Sequence, residues 1–274
     1  MPELPEVETV RRALERTLIG RVVRTCEAKA VRLRAGLDPA CLTARLPGAC
    51  IERVVRRGKF LIIRFDRADL VIHLGMSGRL AVAPAEAPRA PHTHLVLGLD
   101  DRSELRFTDP RRFGSVVVRD AGAGNTYPPV AGLGPDPLQS DVAAVLVAAA
   151  RRSRIAIRNL LLDQRIVAGI GNIYANEALA AAGIRPDRPA AVVARGRIER
   201  LAGSIRTVLE RAVAAGGTTL EDGAFADPSG KWGDFAVELA VYGRDGEECR
   251  RCGTVIRRIT LNARSAFYCP RCQR

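Results

Sequence analysis

The sequence predicts an α+β protein: an antiparallel β-sandwich with a leading helix, then a helical domain that ends in a cysteine-rich ribbon. Three observations carry that prediction. An apolar stripe with helical spacing opens the chain, and short β-branched runs separated by turn signals follow it up to residue 120. After a segment rich in glycine and proline the periodicity becomes helical, until two Cys-x2-Cys pairs close the sequence. The expected boundaries are a sandwich over 1–120, a hinge over 121–140, a helical domain over 141–239 and a cysteine-bound finger over 240–274.

Residues 6–19 read as the leading helix, because Val7, Val10, Leu14 and Leu18 recur at three- and four-residue steps between Pro5 and Gly20. Glu6 and Glu8 fall in its first turn and Arg11, Arg12 and Arg16 further along, which suits the helix dipole. Strands are expected at 21–24, 51–65, 70–74, 94–99, 104–107 and 115–119, with turn signals such as Asp100-Asp101 between them. The run from Gly122 to Pro137 punctuates the chain as a hinge. Helices then follow at 142–151, 156–164, 173–182 and 197–215, the last burying Ile198, Leu201, Ile205, Val208 and Leu209 on one face. The Gly169-Ile-Gly171-Asn172 turn lies between two helices and lacks the spacing of a dinucleotide fingerprint. It reads either as a tight connection or as a turn whose backbone N–H groups and Asn172 hold a phosphate.

Composition narrows the function. With 274 residues and 47% apolar content the chain can bury a sizeable core. Its formal charge of +13, from 43 Lys plus Arg against 30 Asp plus Glu, points to a polyanionic partner, nucleic acid before membrane. No apolar stretch is long enough to span a bilayer and the acidic start is unlike a signal peptide, so a cytoplasmic, nucleoid-associated monomer with no membrane partner is expected. Seven cysteines, an odd number with four clustered at the end, fit metal ligation in a reducing compartment better than a disulfide framework.

Two segments carry chemistry. Cys249, Cys252, Cys269 and Cys272 have the spacing of a four-thiolate zinc ribbon; four sulfurs leave no open position, so the single Zn2+ would be structural. The ribbon holds seven arginines and no acidic residue, an arrangement suited to phosphate. At the other end, removal of Met1 would free the ring nitrogen of Pro2 as a secondary amine beside carboxylates. An appreciable fraction of such an amine is neutral, and so nucleophilic, near pH 7, and the helix dipole favours its unprotonated form. Condensed with an aldehyde-like carbon it gives an iminium that cannot lose its charge through an N–H, so it remains an electron sink. Taken alone, Pro2 and Pro5 would read only as a helix start.

The chain resembles the bacterial formamidopyrimidine-DNA glycosylases, which are also DNA-(apurinic or apyrimidinic site) lyases. The resemblance spans nearly the whole length and rests on Pro2-Glu-Leu-Pro-Glu-Val-Glu8, Arg57-Gly-Lys59-Phe-Leu61, His73-Leu-Gly-Met-Ser-Gly78, Asp109-Pro-Arg-Arg-Phe-Gly114, Gly169-Ile-Gly-Asn-Ile-Tyr174, Gly216-Gly-Thr-Thr-Leu220, Val241-Tyr-Gly-Arg244 and the terminal ribbon. It implies a helix-two-turn-helix in the helical domain. It also implies removal of 8-oxoguanine and formamidopyrimidines from double-stranded DNA, with β,δ-elimination at the abasic site through a Schiff base on the N-terminal proline.

By the same resemblance Pro2 is the nucleophile and Glu3 the acid that protonates the sugar ring oxygen. Lys59 assists at the lesion and in β-elimination. Arg264 matches the δ-elimination arginine, where stabilising the leaving phosphate's charge is more plausible than proton transfer, since guanidinium is a very poor acid. Met76, Arg111 and Phe113 match residues inserted into the gap left by an extruded nucleotide. His92, Arg111 and Arg154 match DNA contacts, and Asn172 and Arg264 phosphate clamps.

Two alternatives stay open. The endonuclease VIII branch, acting on oxidised pyrimidines, typically carries glycine where this chain has Leu4 and usually lacks the Met76 motif. A non-catalytic zinc-ribbon DNA-binding protein would need none of Pro2, Glu3, Glu6 and Lys59. The chain departs from the family at Gly230-Lys-Trp-Gly-Asp-Phe235, at Ala266 and at Arg158, which stands where lysine is frequent and is not equivalent to lysine as a phosphate ligand.

Overall fold

The computed structural model describes residues 2–219, 225, 227–231 and 233–274. Met1, whose removal the reading of Pro2 requires, Leu220 of the Gly216–Leu220 motif and Trp232 of the Gly230–Phe235 segment lie outside the described residues. The chain divides into two compact units, Met1–Gly132 with Ala215–Asp234, and Leu133–Ala214 with Phe235–Arg274.

The first unit opens with α1 (Leu4–Leu18), whose buried stripe of Val7, Val10, Leu14 and Leu18 is the one its spacing predicts. Then come β1 (Val23–Ala28), α2 (Pro39–Arg45), β2 (Ile51–Arg57), β3 (Phe60–Phe65), β4 (Ala68–His73), β5 (Arg79–Pro84), β6 (Thr93–Leu99), β7 (Ser103–Thr108), β8 (Ser115–Asp120) and the one-turn α3 (Pro128–Ala131). The strands form two four-stranded antiparallel sheets, ordered β1-β6-β7-β5 and β2-β3-β4-β8. One apolar cluster takes Leu14 from α1, Ile51, Ile63 and Ile72 from one sheet and Leu97 and Phe107 from the other.

Three details differ from the sequence reading. The run expected at 51–65 is two strands, because Gly58 adopts a left-handed φ of +56° and reverses the chain into a hairpin, Arg57 facing Phe60. α2, a short helix the sequence reading does not include, is capped by Asp38, whose side chain accepts the Cys41 N–H at 3.2 Å. β5 ends in a proline and carries no clear alternation, yet pairs along its whole length with β7.

The second unit contains α4 (Ala143–Arg151), α5 (Ile157–Leu161), α6 (Asn172–Ala181) and α7 (Arg195–Ala214), followed by the hairpin β9 (Arg257–Leu261) and β10 (Arg264–Tyr268). α7 buries Ile198, Leu201, Ile205, Val208 and Leu209, the face its periodicity predicts. The hairpin turn places Asn262 and Ala263 at φ +45° and +58°, the two left-handed positions of a type I′ connection. Ala215–Asp234, grouped by linear order with the helices, belongs to the first unit: Thr218 donates its N–H to the Glu6 carboxylate at 2.8 Å, and Phe225 joins the sandwich core.

Candidate active site and nucleic-acid interface

The N-terminus of α1 is built from reciprocal hydrogen bonds. Glu3 caps the helix and accepts the backbone N–H of Glu6, while Glu6 Oε2 accepts the Glu3 N–H at 2.7 Å. The second oxygen of Glu6 accepts from Thr218, so one carboxylate ties the start of the chain to the segment after Gly217. Gly217 sits at φ +86°, and a Cβ there would approach Glu6 Cγ and Oε1 to 3.1 Å. Pro2, Glu3 and Glu6 are all buried, a partly desolvated setting next to the positive end of a helix.

Lys59 follows the Gly58 turn and is 9% exposed. Its hairpin is tied to α1 by Arg56, which donates to Glu8 Oε2 at 2.9 Å and to the Gly58 carbonyl at 3.2 Å. Glu8 also receives Arg11 and Arg12. Burial by itself raises the Glu8 carboxyl's pKa, but the hydrogen bonds and charges of Arg11 and Arg56 outweigh it, and the net shift is downward. On the neighbouring strand, His73 Nδ1 accepts the Gly75 N–H at 3.0 Å and its ring lies 4.8 Å from that of Phe60. Burial first, then the charges of Lys59 and Arg34, push its pKa down to about 4, so the imidazole is neutral at physiological pH.

Met76 and Phe113 stand on the loops 74–78 and 109–114 at 37% and 44% exposure, and the Arg111 guanidinium rests 5.0 Å above the Phe113 ring. His92, at the start of β6, is exposed and left-handed at φ +62°. All of these belong to the first unit.

In the second unit Arg154 is exposed ahead of α5. Gln164 shapes the glycine turn before α6: its side chain donates to the carbonyls of Leu162 and Ile170 and accepts the Gly169 N–H at 2.8 Å. Asn172, the first residue of α6, donates its amide to the Ser265 carbonyl at 3.0 Å, and Asn176 accepts the Phe267 N–H at 2.8 Å. Both residues therefore hold the ribbon hairpin. Arg158, which stands where the family frequently has lysine, is wholly buried. It donates to Asn159 Oδ1 and to the carbonyls of Leu261, Arg264 and Ser265 at 2.8–3.3 Å, because a planar fork can satisfy several carbonyls around a tight turn. Arg264 itself extends from the start of β10 and is exposed.

The sulfurs of Cys249, Cys252, Cys269 and Cys272 lie within 4.8 Å of one another. Cys252 and Cys269 sulfurs are 3.5 Å apart, far beyond a disulfide bond of about 2.05 Å. That separation is close to the edge of a sulfur tetrahedron built on Zn–S distances of about 2.3 Å. The donor set and its spacing fit one structural zinc. Gln273 braces the second knuckle, accepting the Cys269 N–H and donating to the Ile184 carbonyl.

Three family models match in sequence order: the formamidopyrimidine-DNA glycosylase N-terminal domain over residues 1–116, its H2TH domain over 133–223, and the zinc finger found in FPG and IleRS over 246–274. The formamidopyrimidine-DNA glycosylase of Halorhodospira halophila is 49% identical over 277 residues, covering 100% of both chains, and that of Rhizorhabdus wittichii 48% over 276 residues with the same coverage. The chain belongs to the formamidopyrimidine-DNA glycosylase family. Among solved structures of that family, a Lactococcus lactis FPG mutant complexed with Fapy-dG-containing DNA superimposes with a TM-score of 0.91 at 34% identity, covering 99% of each chain. The Thermus thermophilus MutM (FPG) protein does so with 0.88 at 39%, covering 99% of this chain and 98% of that one. The glycosylase-family motifs read from the sequence thus sit on the family's own fold. Among the described residues no helix is long and apolar enough to cross a membrane.

Sequence reasoning missed the residues that hold these glycosylase-family motifs in place. Glu177 accepts the N–H groups of Ala240, Val241 and Tyr242 with one buried carboxylate, and Asp109 binds two loops at once. Asp109 lies inside a quoted motif and Glu177 on a helix, but neither position announces which backbone it will meet.

Proposed function

We propose that the protein is a bifunctional base-excision repair enzyme: a glycosylase that removes oxidised purines from double-stranded DNA and a lyase that cleaves the resulting abasic site. The observation that carries this reading is the buried Pro2-Glu3 helix start, with Glu3 and Glu6 in reciprocal hydrogen bonds, on a chain of this family. The L. lactis relative has been seen with Fapy-dG DNA and with abasic-site DNA, both of which fit the proposed sequence of substrates.

In this mechanism the free Pro2 nitrogen, exposed by loss of Met1, attacks the sugar C1′, and the C1′–base bond breaks with its electron pair leaving on the base. Glu3 supplies the proton for the ring oxygen as the sugar opens. The iminium on Pro2 then acidifies the C2′ proton; its removal expels the 3′ phosphate, and a second elimination expels the 5′ phosphate. Lys59 assists near the lesion, and Arg264 stabilises charge on a departing phosphate. Met76, Arg111 and Phe113 fill the gap left by the everted nucleotide, and His92, Arg154 and Asn172 support the backbone. The zinc would be purely structural, and the ribbon it holds supplies a fixed cationic hairpin that carries Arg264. The enzyme would work in the cytoplasm, on the nucleoid.

Borohydride reduction during incubation with an oxoguanine duplex tests the reading. A covalent protein–DNA adduct on the processed protein, strongly reduced after Pro2→Gly, is expected. No adduct, or full activity in a preparation whose mass shows Met1 retained, would overturn it. Parallel excision on oxoguanine, formamidopyrimidine and oxidised-pyrimidine duplexes ranks the bases.

A further inference from the structure

Met76 and Phe113 differ from other exposed apolar side chains in what lies beneath them. Asp109 is wholly buried, and its carboxylate sits between their two loops. Oδ1 accepts the Ser77 hydroxyl at 2.6 Å, and Oδ2 accepts the Gly114 N–H at 2.7 Å. Ser77 Oγ in turn accepts the Arg111 N–H at 3.2 Å. The Asp109 carbonyl accepts from His94 Nε2 at 3.0 Å and from the Arg112 N–H at 3.3 Å, which leaves Arg112 in a left-handed conformation at φ +58°. The loops also meet backbone to backbone. A Cβ on Gly75 would lie 2.4–2.5 Å from Phe113 and Gly114 main-chain atoms, and Gly75 itself has φ +63°.

We infer that Asp109 and Ser77 are positioning residues that lock the Met76 loop to the Arg111–Phe113 loop, so that three side chains enter the duplex as one preformed wedge. The inference rests on the glycosylase reading above and deepens it. Everting a stacked nucleotide needs a filler that is already shaped, because ordering two separate loops during the event would add to its cost. Burial matters too. A carboxylate with both oxygens engaged in a dry site fixes direction as well as distance, which an exposed hydrogen bond would not. The strained Arg112 backbone persists only because its neighbours over-determine it.

Ser77→Ala is the decisive variant, since it removes the link from Asp109 to Arg111 while deleting one oxygen from a half-buried side chain. Single-turnover excision from an oxoguanine duplex is expected to fall about tenfold or more, in line with the cost of a small misplacement. The fluorescence rise of a 2-aminopurine placed beside the lesion is expected to vanish with it. Borohydride trapping on a duplex with a preformed abasic site, where no base has to be displaced, should stay near the wild-type level. Ser77→Thr keeps the hydroxyl and should restore excision. Asp109→Asn can still accept from Gly114 but turns an amide toward the serine, so it should fall between. Wild-type excision by Ser77→Ala overturns the inference; so does an equal loss of both activities with a lowered melting temperature, or a failure of Ser77→Thr to rescue. An unmodified enzyme that traps neither duplex would sink the glycosylase reading itself, which is a distinguishable result.

Discussion

The sandwich unit and the ribbon reach a fixed geometry by opposite routes. The sandwich holds Pro2, Glu3 and Lys59 on a large apolar core, with charged pairs such as Glu8–Arg56 aligning α1 and the Lys59 hairpin from 48 positions apart. The ribbon has a core of only a few side chains, among them Val241, Ile256, Phe267 and two of its own cysteines. Four sulfurs and hydrogen-bonding side chains from α5 and α6, Arg158 and Asn172 donating and Asn176 accepting, do the holding instead. The proposed reactive centre is built where burial is deep; the exposed cationic finger is fixed by four metal-ligating sulfurs and by hydrogen bonds at its base.

That contrast can be broken in several places. Pro2→Gly should have the largest effect, lowering covalent trapping by roughly 10²-fold or more while low-salt DNA binding persists, because the change removes the secondary amine and little else. Equal trapping by the variant would place the nucleophile elsewhere. Chelating the zinc should act on the other unit alone. Structural zinc contributes on the order of 10 kcal/mol to finger folding, so anisotropy should show DNA affinity falling about tenfold or more while calorimetry keeps the sandwich transition. An affinity that ignores the chelator would remove the ribbon from the interface.

Smaller effects sharpen the same comparison. Arg158→Ala removes a buried guanidinium and its hydrogen bonds to the carbonyls of Leu261, Arg264 and Ser265, and should cost about 3 kcal/mol in the second unit, read by thermal denaturation. Arg158→Lys, which brings a point charge rather than a fork, should recover part of that loss. In the sandwich, His73 is neutral when folded, with its pKa held at about 4, against the ordinary histidine value of about 6.5 in the unfolded chain. Its contribution is therefore fully present above pH 6.5 and is lost as the pH falls toward 4, on the order of 3 kcal/mol. Urea titrations across that window should show the slope in the native enzyme and a shallower one in His73→Gln.

Much of this molecule was legible in its order of residues. The stripe of α1, the buried face of α7, and the cysteine spacing are local periodicities, and each maps onto the structure with small shifts at the ends. The hairpin at Gly58 was less legible, since a run of β-branched residues continues across it and only a left-handed glycine divides the strands. What Arg158 does could not be read from its position either: the sequence marks it as a departure from the family's frequent lysine, and only the structure sets its guanidinium among carbonyls.

By itself the sequence determined the succession of sheet, helices and ribbon and the metal the four sulfurs fit, and it named the residues proposed to carry the chemistry. Those are properties of spacing, composition and motif, which need no partner from elsewhere in the chain. Only the tertiary structure decided that Glu6 would reach Thr218, that Asp109 would join two loops, and that Arg158 and Asn172 would grip the ribbon hairpin. A buried polar group takes whichever backbone partner packing brings to it, and that partner is fixed by the register of sheets and helices rather than by distance along the chain.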